Sequence, residues 1–147
     1  MAAIRRQATT IWKGDLASGS GKFSGGSGAL TELPVTWASR TQAPGGKTSP
    51  EELIAAAHST CYAMALSHTL AGAGTPAESL EVTAVVELDT GAADGPRVTR
   101  SALEVVGRVP GISNERFVEL ARQADEGCPI SNLLRGGTTV TLNARSS

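Results

Sequence analysis

Three features of the sequence predict an α+β fold in which a mainly antiparallel sheet wraps around a long buried central helix. The first is a helical stretch that opens at Ser49-Pro50-Glu51-Glu52, has no Asp, Glu, Lys or Arg from Leu53 onward, and carries Cys61 near its middle. The second is a pair of long alternating segments, Leu80 to Asp89 and Arg97 to Val109, joined by a short turn. The third is the order of the segments, β-β-β-α-β-β-α-α-β, which groups strands with strands as α+β domains do.

The first strand is read at Ala8 to Lys13, where Thr9, Thr10, Ile11 and Trp12 favour extended backbone and Gly14-Asp15 supplies the turn. Ala17 to Ala29 is rich in Gly and Ser and reads either as a loose hairpin around Lys22-Phe23 or as a flexible connection. Leu33 to Trp37 is a short strand, with Pro34 placing it at an edge or a start. A loop holding Arg40 and the Pro44-Gly45-Gly46 turn then leads to the central helix.

That helix has a well-marked beginning. Ser49 suits the N-cap, Pro50 the first helical position, and Glu52 the place where a capping box wants a carboxylate. Glu51 and Glu52 in the first turn also complement the helix dipole. From Leu53 to Ala77 there is no Asp, Glu, Lys or Arg. Such a helix is apolar nearly all round and needs cover on most sides. One chain of this size supplies too little, so a homodimer that packs two such helices together is expected. The helix stops between Leu70 and Gly74, ahead of Pro76. Leu80 to Asp89 and Arg97 to Val109 form an antiparallel hairpin. Ser113 caps a second helix with Phe117, Leu120, Ala121 and Ala124 on one face, and Gly127 closes it. Cys128-Pro129 opens a short third helix with the thiol at its N-cap. Thr138 to Arg145 is the last strand.

Composition bounds the function classes. The chain has 147 residues, 40% hydrophobic and only 3% aromatic, so its core must come from Ala, Val, Leu and Ile. At that length a single domain, residues 1–147, is expected to bury roughly 70% of its unfolded surface. A formal net charge of -1 with no basic block argues against nucleic acid and anionic membranes as partners. The opening Met1 to Gln7 lacks a signal peptide's apolar run, and the uncharged stretch with His58, Ser59, Thr60 and His68 is too polar to span a bilayer. A cytoplasmic, reducing compartment is therefore expected. There, the two cysteines are more often free, catalytic or redox-cycling than a permanent staple.

The thiols differ in setting. Cys61 is as well explained by burial as a small hydrophobe as by chemistry, and burial would raise its pKa. Cys128, at a helix N-cap, faces unpaired N–H groups that favour thiolate. On local physics Cys128 is thus the more acidic. For Cys61 to react near neutral pH a cation must approach it, and Arg40 is the nearest in sequence. His58 lies three residues before Cys61, so the two share a helix face. They could form a Cys-His nucleophile pair, while two ligands alone make a weak metal site. A buried, hydrogen-bonded histidine is the blander account.

Thr48 to Cys61 and Gly127-Cys128-Pro129-Ile130-Ser131 together resemble the OsmC branch of the osmotically inducible/organic hydroperoxide resistance family. The likeness extends over almost the whole chain, including Trp12-Lys13-Gly14-Asp15 and Val109-Pro110-Gly111. It implies an intertwined homodimer and a thiol-dependent peroxidase acting on organic hydroperoxides, without cofactor or metal. It implies further that Cys61 is the peroxidatic thiol and Cys128 the resolving one, with Arg40 and Glu51 as a charged pair beside Cys61. A dithiol reductant, a lipoylated protein being one candidate, would reopen the Cys61–Cys128 disulfide. Two rivals remain: a Cys-His hydrolase or acyl-transfer enzyme using Cys61 and His58, and a non-catalytic redox-sensing module.

Helix geometry adds one expectation. Ten residues at ~1.5 Å rise separate positions 51 and 61 of an unbroken helix by ~15 Å. Either Glu51 serves the Cys61 of a partner chain, with the helices crossing near Ala56, or the helix breaks between them.

Overall fold

The computed structural model describes residues 2–147, which fold as two units divided between Leu53 and Ile54. In the first unit, β1 (Ala8–Lys13), β2 (Ser20–Gly25) and β3 (Leu33–Val35) form an antiparallel sheet in that order. The Gly/Ser-rich segment is thus a strand, with its glycines used for close approach. Gly21 pairs with Trp12, and a Cβ there would fall 2.8 Å from the indole. Phe23 turns inward and is buried.

The expected loop around Arg40 is instead a short helix, α1 (Trp37–Thr41). Its cause is local. Thr36 accepts from the Ser39 N–H at 3.0 Å, and the Ser39 hydroxyl accepts from the Thr36 N–H at 3.0 Å, a reciprocal cap that ends β3 two residues earlier than expected.

The central helix, α2 (Pro50–Gly72), runs without interruption, so the break considered above is absent. Ser49 caps it, accepting from the Glu52 N–H at 3.2 Å. The Glu52 carboxylate does not complete a capping box with Ser49; it accepts from the Thr48 hydroxyl at 2.6 Å.

In the second unit, β4 (Ser79–Asp89) and β5 (Arg97–Arg108) form the expected hairpin, while β6 (Thr139–Ser146) lies parallel to β5. The chain leaves β5 through α3 (Asn114–Gly127) and α4 (Pro129–Arg135) before it returns, and a crossover of that length allows parallel pairing. Three of the four strand pairings remain antiparallel.

The core of this unit joins Tyr62, Leu66 and Leu70 of α2 to Leu103 and Val105 of β5 and to Phe117, Leu120 and Ala121 of α3. Gly107 makes the α3–β5 approach possible, since a Cβ there would sit 2.4 Å from the Phe117 ring. His58, Tyr62, Leu66 and Leu70 are buried at a spacing of four. Ala56, Thr60, Met64 and Ser67 form an opposite stripe, exposed in the single chain. Among the described residues no helix is long and apolar enough to cross a membrane.

Candidate functional site

The chemically notable side chains fall into two pairs, one in each unit. In the first unit, α1 is fastened beside the start of α2. The Ser39 hydroxyl donates to the Thr48 carbonyl at 3.0 Å, and the Thr48 N–H donates to the Pro34 carbonyl at 3.2 Å. This brings Arg40 onto Glu51. Arg40 Nε donates to both carboxylate oxygens at 3.1 Å, and Nη2 donates to Oε1 at 2.8 Å. Glu51 is only 8% exposed, so its charge is held away from bulk water and matched by the guanidinium. The guanidinium carbon also stands 5.8 Å from the centre of the Trp37 ring. Arg40 borders a cavity of about 400 Å³ whose walls are largely apolar, with Trp12, Leu16, Phe23, Trp37 and Leu53 among them.

In the second unit, Cys61 of α2 and Cys128 at the N-cap of α4 are both free thiols. Cys61 packs against the buried core cluster that contains Cys128. Cys128 is fully buried, and its sulfur accepts from the Ser131 N–H at 3.5 Å. Cys61 is half-buried. Burial pushes its thiol up, the Ile130 N–H pulls it back, and hydrogen bonding and charge at Cys128 push it up again. The first turn of α4 thus gives the Cys128 sulfur the N–H of Ser131. Pro129, without an N–H, suits the first position of that turn.

His58 lies one turn before Cys61 and is completely buried. Its Nδ1 is 2.6 Å from Ser101 Oγ on β5, and its Nε2 is 2.8 Å from Ser131 Oγ on α4. A neutral ring donates through one nitrogen and accepts through the other, and a serine hydroxyl can do either. Burial depresses its pKa, with Asp125 opposing and Arg135 reinforcing that effect, so the ring is neutral near pH 7. Asp125 and Arg135 are ion-paired beside it. The Tyr62 hydroxyl donates to the Ala121 carbonyl at 2.8 Å, and burial pushes its pKa upward. Among the described residues, no three His, Cys, Asp or Glu side chains gather as metal ligands would.

Arg40 thus meets Glu51 in one unit, and in the other Cys61 packs against the cluster that holds Cys128. Sequence reasoning anticipated open N–H groups at the start of α4 but did not single out Ser101, the Ser131 hydroxyl or Trp37. Ser131, at the third position of α4, and Trp37, three residues before Arg40, had positional signals. Ser101 had none, because its pairing with His58 crosses 43 residues.

The chain is similar to known proteins over nearly its whole length. Residues 43–143 match the family model described as "OsmC-like protein". The chain is 38% identical over 143 residues to "Peroxiredoxin OsmC" of Escherichia coli, covering 97% of this chain and 99% of that protein. It is 31% identical over 112 residues to an "Organic hydroperoxide resistance protein-like" protein of Staphylococcus aureus, covering 76% of this chain and 79% of that one. Among solved structures, an organic hydroperoxide resistance protein OsmC from Legionella pneumophila superposes with a TM-score of 0.77 at 25% identity, covering 99% of both chains.

Proposed function

Because the chain belongs to the OsmC-like protein family, we propose that it is a thiol-dependent peroxidase that reduces organic hydroperoxides to alcohols. The observation that carries this reading is a pair of free thiols in one cluster, Cys61 packed against the core that holds Cys128, whose sulfur accepts the Ser131 N–H at the start of α4.

The Cys61 thiolate attacks the terminal peroxide oxygen. The O–O bond breaks, two electrons pass from sulfur to the peroxide, and the alkoxide takes a proton to leave as the alcohol. Cys61 is left as a sulfenic acid. The Cys128 sulfur then attacks it, the S–O bond breaks, and the hydroxyl leaves with the Cys128 proton as water. The Cys61–Cys128 disulfide is returned to two thiols by a dithiol reductant, which is itself oxidised to a disulfide. A cytoplasmic setting and a lipoylated protein as reductant suit this last step.

Arg40 would favour the thiolate and hold charge on the departing oxygen, while Glu51 keeps the guanidinium aimed. With α2 unbroken over Pro50–Gly72, the ~15 Å rise between positions 51 and 61 supports a composite site. In it, Arg40 and Glu51 of one chain serve Cys61 of its partner in a homodimer. The exposed uncharged stripe of Ala56, Thr60 and Met64 supports helix packing between chains. The apolar cavity beside Arg40 suits an alkyl hydroperoxide over a small polar one.

The hydrolase alternative needs His58 as a base for Cys61, and both ring nitrogens are already engaged by serines. The test is turnover of dihydrolipoamide with an organic hydroperoxide against hydrogen peroxide. The peroxidase reading expects catalytic turnover, faster with the organic substrate. Oxidation of Cys61 without turnover would favour a redox sensor.

A further inference from the structure

We infer that His58 is a positioning residue for disulfide formation, tethering α4 to α2 through Ser131 while Cys128 gives up its cap. This rests on the two-thiol peroxidase proposed above.

Ser131 has two partners at once. Its N–H donates to the Cys128 sulfur at 3.5 Å, and its hydroxyl stands 2.8 Å from His58 Nε2. In the reduced protein the Cys128 sulfur thus closes the first turn of α4. Forming the disulfide fixes that sulfur ~2.05 Å from the Cys61 sulfur, a constraint that competes with capping. The cap weakens as the bond forms, and α4 loses one of the contacts that fix its start. The Ser131 hydroxyl is bonded elsewhere, to His58, whose ring sits on α2 only three residues before Cys61.

The other ring nitrogen explains why the tether is rigid. Ser101 Oγ lies 2.6 Å from Nδ1, so the ring is pinned from β5 as well as from α4. A single imidazole therefore joins three elements, with His58, Ser101 and Ser131 all fully buried. Burying three polar side chains against an apolar core is unfavourable unless each is bonded, and here each satisfies another. A leucine in place of His58 would fill the space but hold nothing. The chemistry of the step needs no further reactant. Cys128 sulfur attacks Cys61 sulfur, the S–O bond breaks, and water leaves. What the step does need is that Cys128 stays within reach of Cys61, which depends on where α4 begins.

The test adds one equivalent of tert-butyl hydroperoxide to the reduced full-length protein and follows peroxide and free thiols through time. Wild type should lose peroxide and the first thiol together, and then the second thiol. Ser131→Ala and His58→Leu should consume peroxide at the wild-type rate. They should lose the second thiol about 10-fold to 100-fold more slowly, the range for a small misplacement of reacting groups. Dimedone should then trap a sulfenic acid at Cys61. Ser131→Thr, which keeps the hydroxyl, should restore closure. Ser131→Ala leaves the ring in place and His58→Leu removes it, so the two reach the same partition by different perturbations. Closure at the wild-type rate in either folded variant overturns the tether. So does equal slowing of both steps, which marks general loosening. Failure of wild type to lose either thiol overturns the peroxidase reading and this inference with it.

Discussion

Glu51 accepts the Arg40 guanidinium on both carboxylate oxygens, at 2.8 and 3.1 Å, from the first turn of α2. The fork fixes the plane of the guanidinium and not merely its position, which a lysine ammonium could not reproduce. Arg40 comes from a capped helix, so its removal is not the neutral event expected of a loop residue. Arg40→Ala should cost ~1–3 kcal/mol in thermal or denaturant unfolding, because it strands a buried carboxylate. It should slow hydroperoxide reduction about 100-fold, and Glu51→Gln should slow it less. Arg40→Lys should recover little. Wild-type kinetics in Arg40→Ala would remove it from the site and turn attention to Arg5 and Arg6.

Cys61 should report its surroundings through pH. Burial raises its pKa, and the Ile130 N–H only partly offsets this. The reactive form is the thiolate, so below that raised pKa the oxidation rate should climb about tenfold per pH unit. Arg40→Ala should move the plateau to higher pH. The same shift has a sign for stability. A group whose folded pKa is raised contributes stability below its unfolded pKa and loses it as pH rises through the folded one. Cys61→Ser should therefore flatten the decline in stability at alkaline pH. A rate independent of pH between about 6 and 8 would contradict the raised thiol.

Mixed dimers test which chain supplies Glu51. In the composite site, a Cys61→Ser chain paired with a Glu51→Ala chain keeps one intact site, since both lesions fall in the other. A doubly substituted chain paired with wild type keeps none. The reverse pattern would assign Cys61 and Glu51 to the same chain. Ala56→Leu, at the expected crossing, should weaken dimer and activity together, measured by analytical ultracentrifugation and peroxide kinetics.

The parts of the fold that the sequence exposed most clearly are those with local causes. Ser49-Pro50, Ser113 and Cys128-Pro129 are caps that act within one turn, and α2, α3 and α4 begin where they place them. The alternation in Leu80 to Asp89 is equally local, and β4 follows it. What was hidden depended on distant partners. The parallel pairing of β6 with β5 needs the α3–α4 crossover, which no period in Thr139–Ser146 announces. The buried roles of Ser101 and Ser131 depend on His58, far away in the chain. The short helix carrying Arg40 had a signal in Thr36 and Ser39. It was masked because Val35-Thr36-Trp37 also has the composition of a strand.

The most direct test of the account is to ask which sulfur the peroxide reaches first. One equivalent of organic hydroperoxide is added to reduced wild type, Cys61→Ser and Cys128→Ser, and the products are read by mass spectrometry after dimedone. The expected products are a disulfide in wild type, a dimedone adduct on Cys61 in Cys128→Ser, and an unmodified Cys128 with no peroxide consumed in Cys61→Ser. A dimedone adduct on Cys128 in Cys61→Ser, formed at the wild-type rate of peroxide loss, would reverse the roles of the two thiols and contradict it.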